Sequence, residues 1–322
     1  MPIQPTPGDV HVDRALTDLS VAYSQSRSNF VADQVFPKIP VQHRSDSYFK
    51  YEREQFFRTD VQLRAPGAET AGTGFGITTD SYLCKVYGIH KDVDDQTRAN
   101  ADSPINIDRD ATELVTQQVL QFKEQQFVTS FFDTGKWAFN PTTTTKWGDA
   151  ASTPIEDLRD AIVTQTKATS YKPNVLVIGP EVWQALVDHV DLLERVKFTQ
   201  GPAMASEGLV AQLLGLDKVL TAWGVKNTQA EKDGTFDATT DMDFHFGKGA
   251  LLLHVNPSPG LNTVTAGATF TWQGLYGTGA DGVRIKRYRM EPIASDRIEA
   301  ELAFSQKIIA TDLGTYFDAV VD

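Results

Sequence analysis

Two alternating runs flank a long glycine-rich stretch, and together they limit what this chain can fold into more than any other feature. From Tyr48 to Arg58, Phe49, Tyr51 and Phe57 fall on one side and Lys50, Glu52 and Glu54 on the other, which is the period of a strand. Tyr82 to His90 alternates in the same way, and between the runs lies Arg64-Ala65-Pro66-Gly67-Ala68-Glu69-Thr70-Ala71-Gly72-Thr73-Gly74-Phe75-Gly76, polar and rich in turn formers. The two runs are predicted to be the legs of one long hairpin. Its apolar face is narrow and its other positions are charged, so it buries little of itself, and an isolated two-stranded hairpin is marginal in water. Such a hairpin needs another surface to lie on.

The 322 residues exceed what a single compact core usually holds, so two modules or one with long excursions are expected. With 41% hydrophobic and 22% charged residues, the composition is that of an ordinary folded protein. The single cysteine, Cys84, forms no intrachain disulfide and suits a reducing compartment. The first residues have neither the positive nor the apolar region of a signal peptide, and no apolar run is long enough to span a bilayer, so no membrane partner is expected. A net charge of −12 argues against a protein that grips phosphate backbones, but suits a wall that holds a packed polyanion without adhering to it.

Residues 1–45 keep no sustained period and are broken by Pro2, Pro5, Pro7, Pro37 and Pro40, which predicts an arm, with a short helix over Asp13 to Tyr23. A long helix is predicted from about Arg109 to Phe132, entered through Asp108 or Asp110 and ended by Gly135, with Leu114, Val115, Val119, Phe122, Phe127 and Phe131 on one face. Pro154 opens a helix to about Ala168. Val175 to Ile178 is a buried strand, followed by a helix from Pro180, short helices near Leu192 to Phe198 and Ser206 to Leu214, and strands at 219–225, 250–255, 263–272 and 283–290. A further strand alternates through Ile298, Ala300, Leu302 and Phe304 and is expected to return to the long helix.

No pattern demands catalysis, a cofactor or a metal. Gly72 to Gly76 and Phe246-Gly247-Lys248-Gly249 lack the Lys-Ser/Thr end of a phosphate loop. Asp241, Asp243 and His245 would share one strand face, with Asp237 nearby, and a metal-dependent hydrolase could be built there, but a solvated loop accounts for them as well. Asp92, Asp94 and Asp95 resemble the start of a calcium loop, with Thr97 where glycine is needed. His90 and His189 have Asp92 and Asp191 near them in sequence but no nucleophile motif, and Cys84 suits a packed thiol. The aromatics Phe49, Tyr51, Phe56 and Phe57 among Lys50, Arg53 and Arg58 suggest a nucleic-acid platform, but Glu52, Glu54 and Asp60 cancel the charge.

The hairpin tip from Ala65 through Thr79, the long helix from Ile107-Asp108 to Phe132-Asp133, and Pro173-Asn174-Val175-Leu176-Val177-Ile178-Gly179-Pro180-Glu181-Val182-Trp183 with Leu213-Leu214-Gly215-Leu216-Asp217-Lys218-Val219 carry a resemblance. In phrase and order they resemble the major capsid proteins of tailed bacteriophages, the Hong Kong 97-type fold. The resemblance implies an α+β fold: an N-terminal arm (1–45), an extended hairpin loop (46–92), a peripheral domain with a spine helix (93–150), an axial domain with a mixed central sheet (151–291), and a C-terminal return to the peripheral domain (292–322). It implies a structural subunit, not an enzyme, assembled in a host cytoplasm as hexamers and pentamers of an icosahedral virion capsid around double-stranded DNA. A portal protein, a separate scaffolding protein and a decoration protein are the partners it implies.

Within that frame, Phe49, Tyr51, Arg53, Phe57, Arg64, Glu69 and Phe75 are the expected inter-subunit contacts. Some members crosslink a hairpin lysine to a neighbour's asparagine; Thr59 to Thr79 contains no lysine, so noncovalent closure is expected. An encapsulin-type nanocompartment shell protein shares the fold and is the alternative.

Overall fold

The computed structural model describes residues 25–101, 105–196, 206–229, 236–260, 263–276 and 282–322. The helix expected over Asp13 to Tyr23 lies outside them. In chain order the first part holds α1 (Ala32–Val35), β1 (Lys38–Val41), β2 (Ser45–Tyr51), α2 (Arg53–Phe56), β3 (Ile77–Leu83), β4 (Lys85–Asp94), α3 (Asp95–Asn100) and the long α4 (Ile107–Phe131). Then come α5 (Pro154–Thr169), β5 (Val175–Ile178), α6 (Pro180–Asp188), α7 (Val190–Val196), α8 (Glu207–Leu214), β6 (Lys218–Thr221), β7 (Val225–Asn227), β8 (Met242–Phe244) and β9 (Ala250–Leu253). The chain closes with β10 (Gly267–Trp272), α9 (Gln273–Tyr276), β11 (Val283–Met290), β12 (Ser295–Ile308) and β13 (Gly314–Phe317).

A four-stranded mixed sheet in the order β13-β9-β5-β6 forms the compact centre, with β5 and β6 parallel and the other pairs antiparallel. Val175 to Ile178 is apolar without alternation because both faces of β5 are covered. Leu176, Ile178 and Leu252 pack on one side with Ile155 and Leu158 of α5, Leu186 of α6 and Val210 of α8. On the other side Val175, Val177, Leu251 and Leu253 meet Phe127 and Phe131 from the end of α4, with Phe36 behind α1. One side of the last two turns of the long helix, Phe127 and Phe131, is therefore buried under the compact sheet.

The second sheet runs β1-β10-β12-β11, with β4 also paired to β12. Val115 and Val119 of α4 cover Ala300, Leu302 and Phe304 of β12. The opposite face carries charge in rows: Arg297 donates to Asp92 at 2.7 and 2.8 Å, Tyr288 donates to Glu299 at 2.8 Å, and Arg284 donates to Glu301 at 2.6 Å.

Several expectations change here. β12 does return to the long helix, but the chain then goes on, and β13 pairs with β9 in the compact sheet. β10 and β11, expected with the compact module, pair with β12, and for β11 its basic residues meet the acidic ones of β12, as Arg284 and Lys286 do Glu301. The long helix is capped by Asn106, whose side chain accepts from Arg109 N at 3.1 Å, which leaves Asp108 and Asp110 in the first turn beside the positive end of the helix dipole. It ends at Phe131, ahead of Gly135, which takes φ 83° in the turn that follows. Leu114 faces solvent and not the apolar side, since β12 reaches only the Val115 and Val119 face. α8 follows its signals, with Ser206 accepting from Leu209 N and Gly215 left-handed at φ 65°.

A buried carboxylate ties the start of the described chain to α4. Glu124 accepts Val31 N at 3.0 Å and Ala32 N at 2.8 Å, serving the free N–H groups at the start of α1. Burial outweighs these hydrogen bonds and pushes Glu124 up to about 7. Beside it the Lys123 ammonium donates to both oxygens of Asp33, at 3.2 and 3.1 Å.

Candidate assembly surface

The hairpin exists, but with legs other than those expected. β2 pairs antiparallel with β3, so that Tyr48 faces Asp80, Phe49 faces Thr79 and Tyr51 faces Ile77. Tyr82 and Leu83 belong to this pair, but the rest of the Tyr82 to His90 run is β4, which pairs with β12 over ten positions, from Lys85↔Phe304 to Asp94↔Ser295. The first leg also stops early. After Tyr51 the chain turns into α2, so Arg53 to Phe56 are helical and not extended.

The base of the hairpin is fastened to the second sheet. Tyr82 stacks on Phe270 at 4.5 Å and Tyr48 at 6.0 Å. Tyr48 Oη donates to Asp80 at 3.0 Å, and Lys307 Nζ of β12 donates to the same carboxylate at 2.6 Å. The Lys307 ammonium holds Asp80 at about 2, below the usual carboxylate range. Burial and the Asp80 carboxylate push the Tyr48 hydroxyl up. Cys84 is fully buried here, its thiol pushed up to about 11 by burial, which makes it a packed side chain and not a nucleophile.

Beyond the base, apolar side chains find only each other. Tyr51, Phe56 and Phe75 cluster with ring centroids 5.9 to 6.2 Å apart. Even so, Phe56 and Phe75 remain 61% and 60% exposed, Phe49 66%, and Leu63 fully exposed. Single exposed apolar residues need no explanation, but a run of them along one excursion does.

Of the expected contact residues, Phe49, Tyr51, Phe57 and Phe75 are presented outward together. Arg64 Nε donates to the Ala68 carbonyl at 2.6 Å and closes the tip turn, where Gly67 takes φ 81°. Glu69 is exposed beside it. Arg53 differs: it forms an ion pair with Asp312 in its own chain. Phe56, Val61, Leu63 and Ile77 join the exposed set without having been singled out. The α2 turn is what moves Phe56 from the polar side of an extended leg to the aromatic cluster.

The residues weighed for chemistry hold structural positions. Asp92 pairs with Arg297, Asp94 caps α3 by accepting from Thr97 N at 2.7 Å, and Asp95 pairs with Arg289. His90 Nε2 lies 3.9 Å from Asp92. Asp241 accepts Asp237 N at 2.8 Å and closes a turn, while His245 is buried near Phe30 and pushed down to about 4 by burial. Among the described residues, no three histidine, cysteine or acidic side chains are grouped to hold a metal.

His189 sits 3.0 Å from Ser152 Oγ. Its Nδ1 accepts from Asp191 N at 3.1 Å, which places the proton on Nε2. A nitrogen carrying its proton cannot deprotonate the serine.

Residues 123–247 match the family model of phage major capsid protein E. Over 220 residues, 65% of this chain and 67% of the relative, the chain is 26% identical to a major capsid protein of Pseudomonas phage JBD67. The mature capsid subunit of bacteriophage PhiM1 has the same fold, with TM-score 0.62 at 14% identity over 96% of this chain and 92% of that one. In sequence and in fold the chain is similar to phage major capsid proteins. The capsid fold is shared with a phage-related protein of Bordetella bronchiseptica RB50, with TM-score 0.68 at 17% identity over 92% and 95% of the two chains. It is shared also with the SrpI encapsulin of Synechococcus elongatus PCC 7942, with TM-score 0.56 at 15% identity over 96% and 95%. Among the described residues no helix is long and apolar enough to cross a membrane.

Proposed function

We propose that this capsid protein assembles as hexamers and pentamers into a closed icosahedral shell around double-stranded DNA, and that the hairpin beyond its anchored base lies on a neighbouring subunit. The observation that carries this is the contrast along one hairpin: a base pinned by Asp80, Lys307 and Phe270, and a distal half whose rings stay exposed. Covering them would supply roughly 25 cal/mol for each Å² of apolar surface removed from water. Phe49, Tyr51, Phe57 and Phe75 supply that surface, while Arg64 and Glu69 sit at the tip as polar contacts and Arg53 positions the hairpin through Asp312. The role is structural and not catalytic, and the protonated Nε2 of His189 and the raised thiol of Cys84 support that.

Scaffolding, portal and decoration proteins are separate partners in this scheme. The acidic balance of the chain favours a wall that does not bind the packed DNA. With no lysine between Thr59 and Thr79, closure is noncovalent. Electron microscopy of the expressed chain, with and without Phe56→Ser and Phe75→Ser, tests the proposal. Closed shells that disappear in the variant, and a single monomer band on a denaturing gel, are expected; shells unaffected by the substitutions would refute the role of the hairpin. A protein cargo in native particles, with no nucleic acid, would point instead to an encapsulin-type compartment.

A further inference from the structure

The stretch from Gln25 to Phe36 crosses from one part of the molecule to another, and a buried titratable side chain meets it on each side. Its first half lies on the β7–β8 ribbon. The Gln25 side-chain amide donates to the Val225 carbonyl at 2.7 Å and accepts from Val225 N at 2.9 Å. Phe30 then packs beside His245 with ring centroids 6.4 Å apart, so close that a Cβ on Gly224 would stand 3.2 Å from the imidazole and 3.4 Å from the phenyl ring. The second half lies on α4, where Glu124 accepts Val31 N and Ala32 N and the Phe36 ring packs on Phe127 and Phe131.

His245 is only 4% exposed, and among the described residues its Nε2 has no hydrogen-bond partner. The charges that bear on it belong to the ribbon: Lys226 disfavours its protonation and Asp243 favours it, while the crossing stretch presents the Phe30 ring. Glu124 is fully buried, and Asp33 of α1 repels a negative charge on it. Lys123 of α4 donates to Asp33, and Lys38 of β1 lies 3.7 Å from the same carboxylate. Burial penalises charge, so both groups are held toward their neutral forms. For the histidine that form prevails at high pH, for the glutamic acid at low pH. Burial pushes His245 down to about 4, so its contribution is full above 6.5 and is lost as pH falls through about 4. Burial pushes Glu124 up to about 7, so its contribution is full below 4.5 and is lost as pH rises through about 7.

We propose that residues 25–36 form a two-ended strap whose hold passes from α4 to the β7–β8 ribbon as pH rises, so that the strap stays fastened at one end while the other loosens.

Residue-resolved hydrogen exchange of the full-length chain at about pH 5 and about pH 8 tests this, read as protection factors so that the intrinsic pH dependence of exchange drops out. On the α4 side the amides of Ala32 and Val35, bonded to Glu124 and to the Val31 carbonyl, should lose protection as pH rises. On the ribbon side those of Asn29 and Val225, bonded to the Ser26 carbonyl and to Gln25, should gain it. Each change should be roughly tenfold or more. Glu124→Gln should flatten the first change and leave the second, and His245→Phe should do the reverse. Both ends moving in the same direction, or neither moving, would overturn the proposal. Titration of the unsubstituted chain by NMR keeps it falsifiable if a variant misfolds: the Glu124 carboxyl should titrate near 7 and the His245 ring near 4. An ordinary value for either would contradict the proposal.

Discussion

The strand Val175 to Ile178 and the hairpin from Phe49 to Ile77 are both rich in apolar side chains, and the chain treats them in opposite ways. In the first, every side chain is covered on two faces by helices and by the end of α4. In the second, Tyr51, Phe56 and Phe75 pack on one another, and Phe49, Phe56, Phe57 and Phe75 stay more than half bare. The difference shows where each region obtains its stability: β5 within one subunit, the hairpin from what lies outside it.

The comparison breaks most sharply in the core. Leu252→Ala removes a fully buried side chain between α5 and the central sheet, and unfolding free energy should fall by about 2–5 kcal/mol in denaturant titration. A loss below that range would mean that the compact sheet is not the main source of stability.

Glu124 ties α1 to the long helix, and Glu124→Gln should cost about 1–3 kcal/mol, because Val31 N faces both carboxylate oxygens and an amide sets an NH2 donor where one of those acceptors stood. Its folded pKa of about 7 lies above the ordinary 4.5, so the folded state holds the extra proton between those values. Stability from this group is therefore greatest below about 4.5 and declines as pH rises toward about 7. Thermal unfolding across that window should show the decline in the native chain and a flatter profile in the variant.

At the hairpin base, Asp80→Asn should loosen β2 and β3 from β12 while leaving the compact sheet intact, seen as faster hydrogen exchange confined to 45–51 and 77–83. Asp80 is depressed from 3.8 to about 2, so its contribution is present above about 3.8 and is lost as pH falls through about 2. The smallest effect on the subunit is expected farthest out: Phe56→Ser with Phe75→Ser should change subunit stability by no more than about 0.5 kcal/mol, while abolishing shell formation.

Much of this division was legible along the chain. The caps Ser206 and Gly215, the unbroken apolar run of β5 and the strand Val283 to Met290 lie where local rules place them. What was not legible depends on partners far away in sequence. β4 leaves the hairpin for β12 because Asp92 meets Arg297 and Val93 packs with Ile298, both some two hundred residues on. Arg53 reads as a free contact until Asp312 is folded beside it. Asn106 competes with two aspartates for the cap, and no local rule ranks them.

Hydrogen exchange of residues 49–77, compared between dissociated subunits and assembled particles with residues 175–178 as the internal standard, tests the contrast most directly. Strong protection of the hairpin gained only on assembly, with residues 175–178 protected equally in both states, is the predicted result. A hairpin that exchanges at the same rate in subunits and particles would contradict the account.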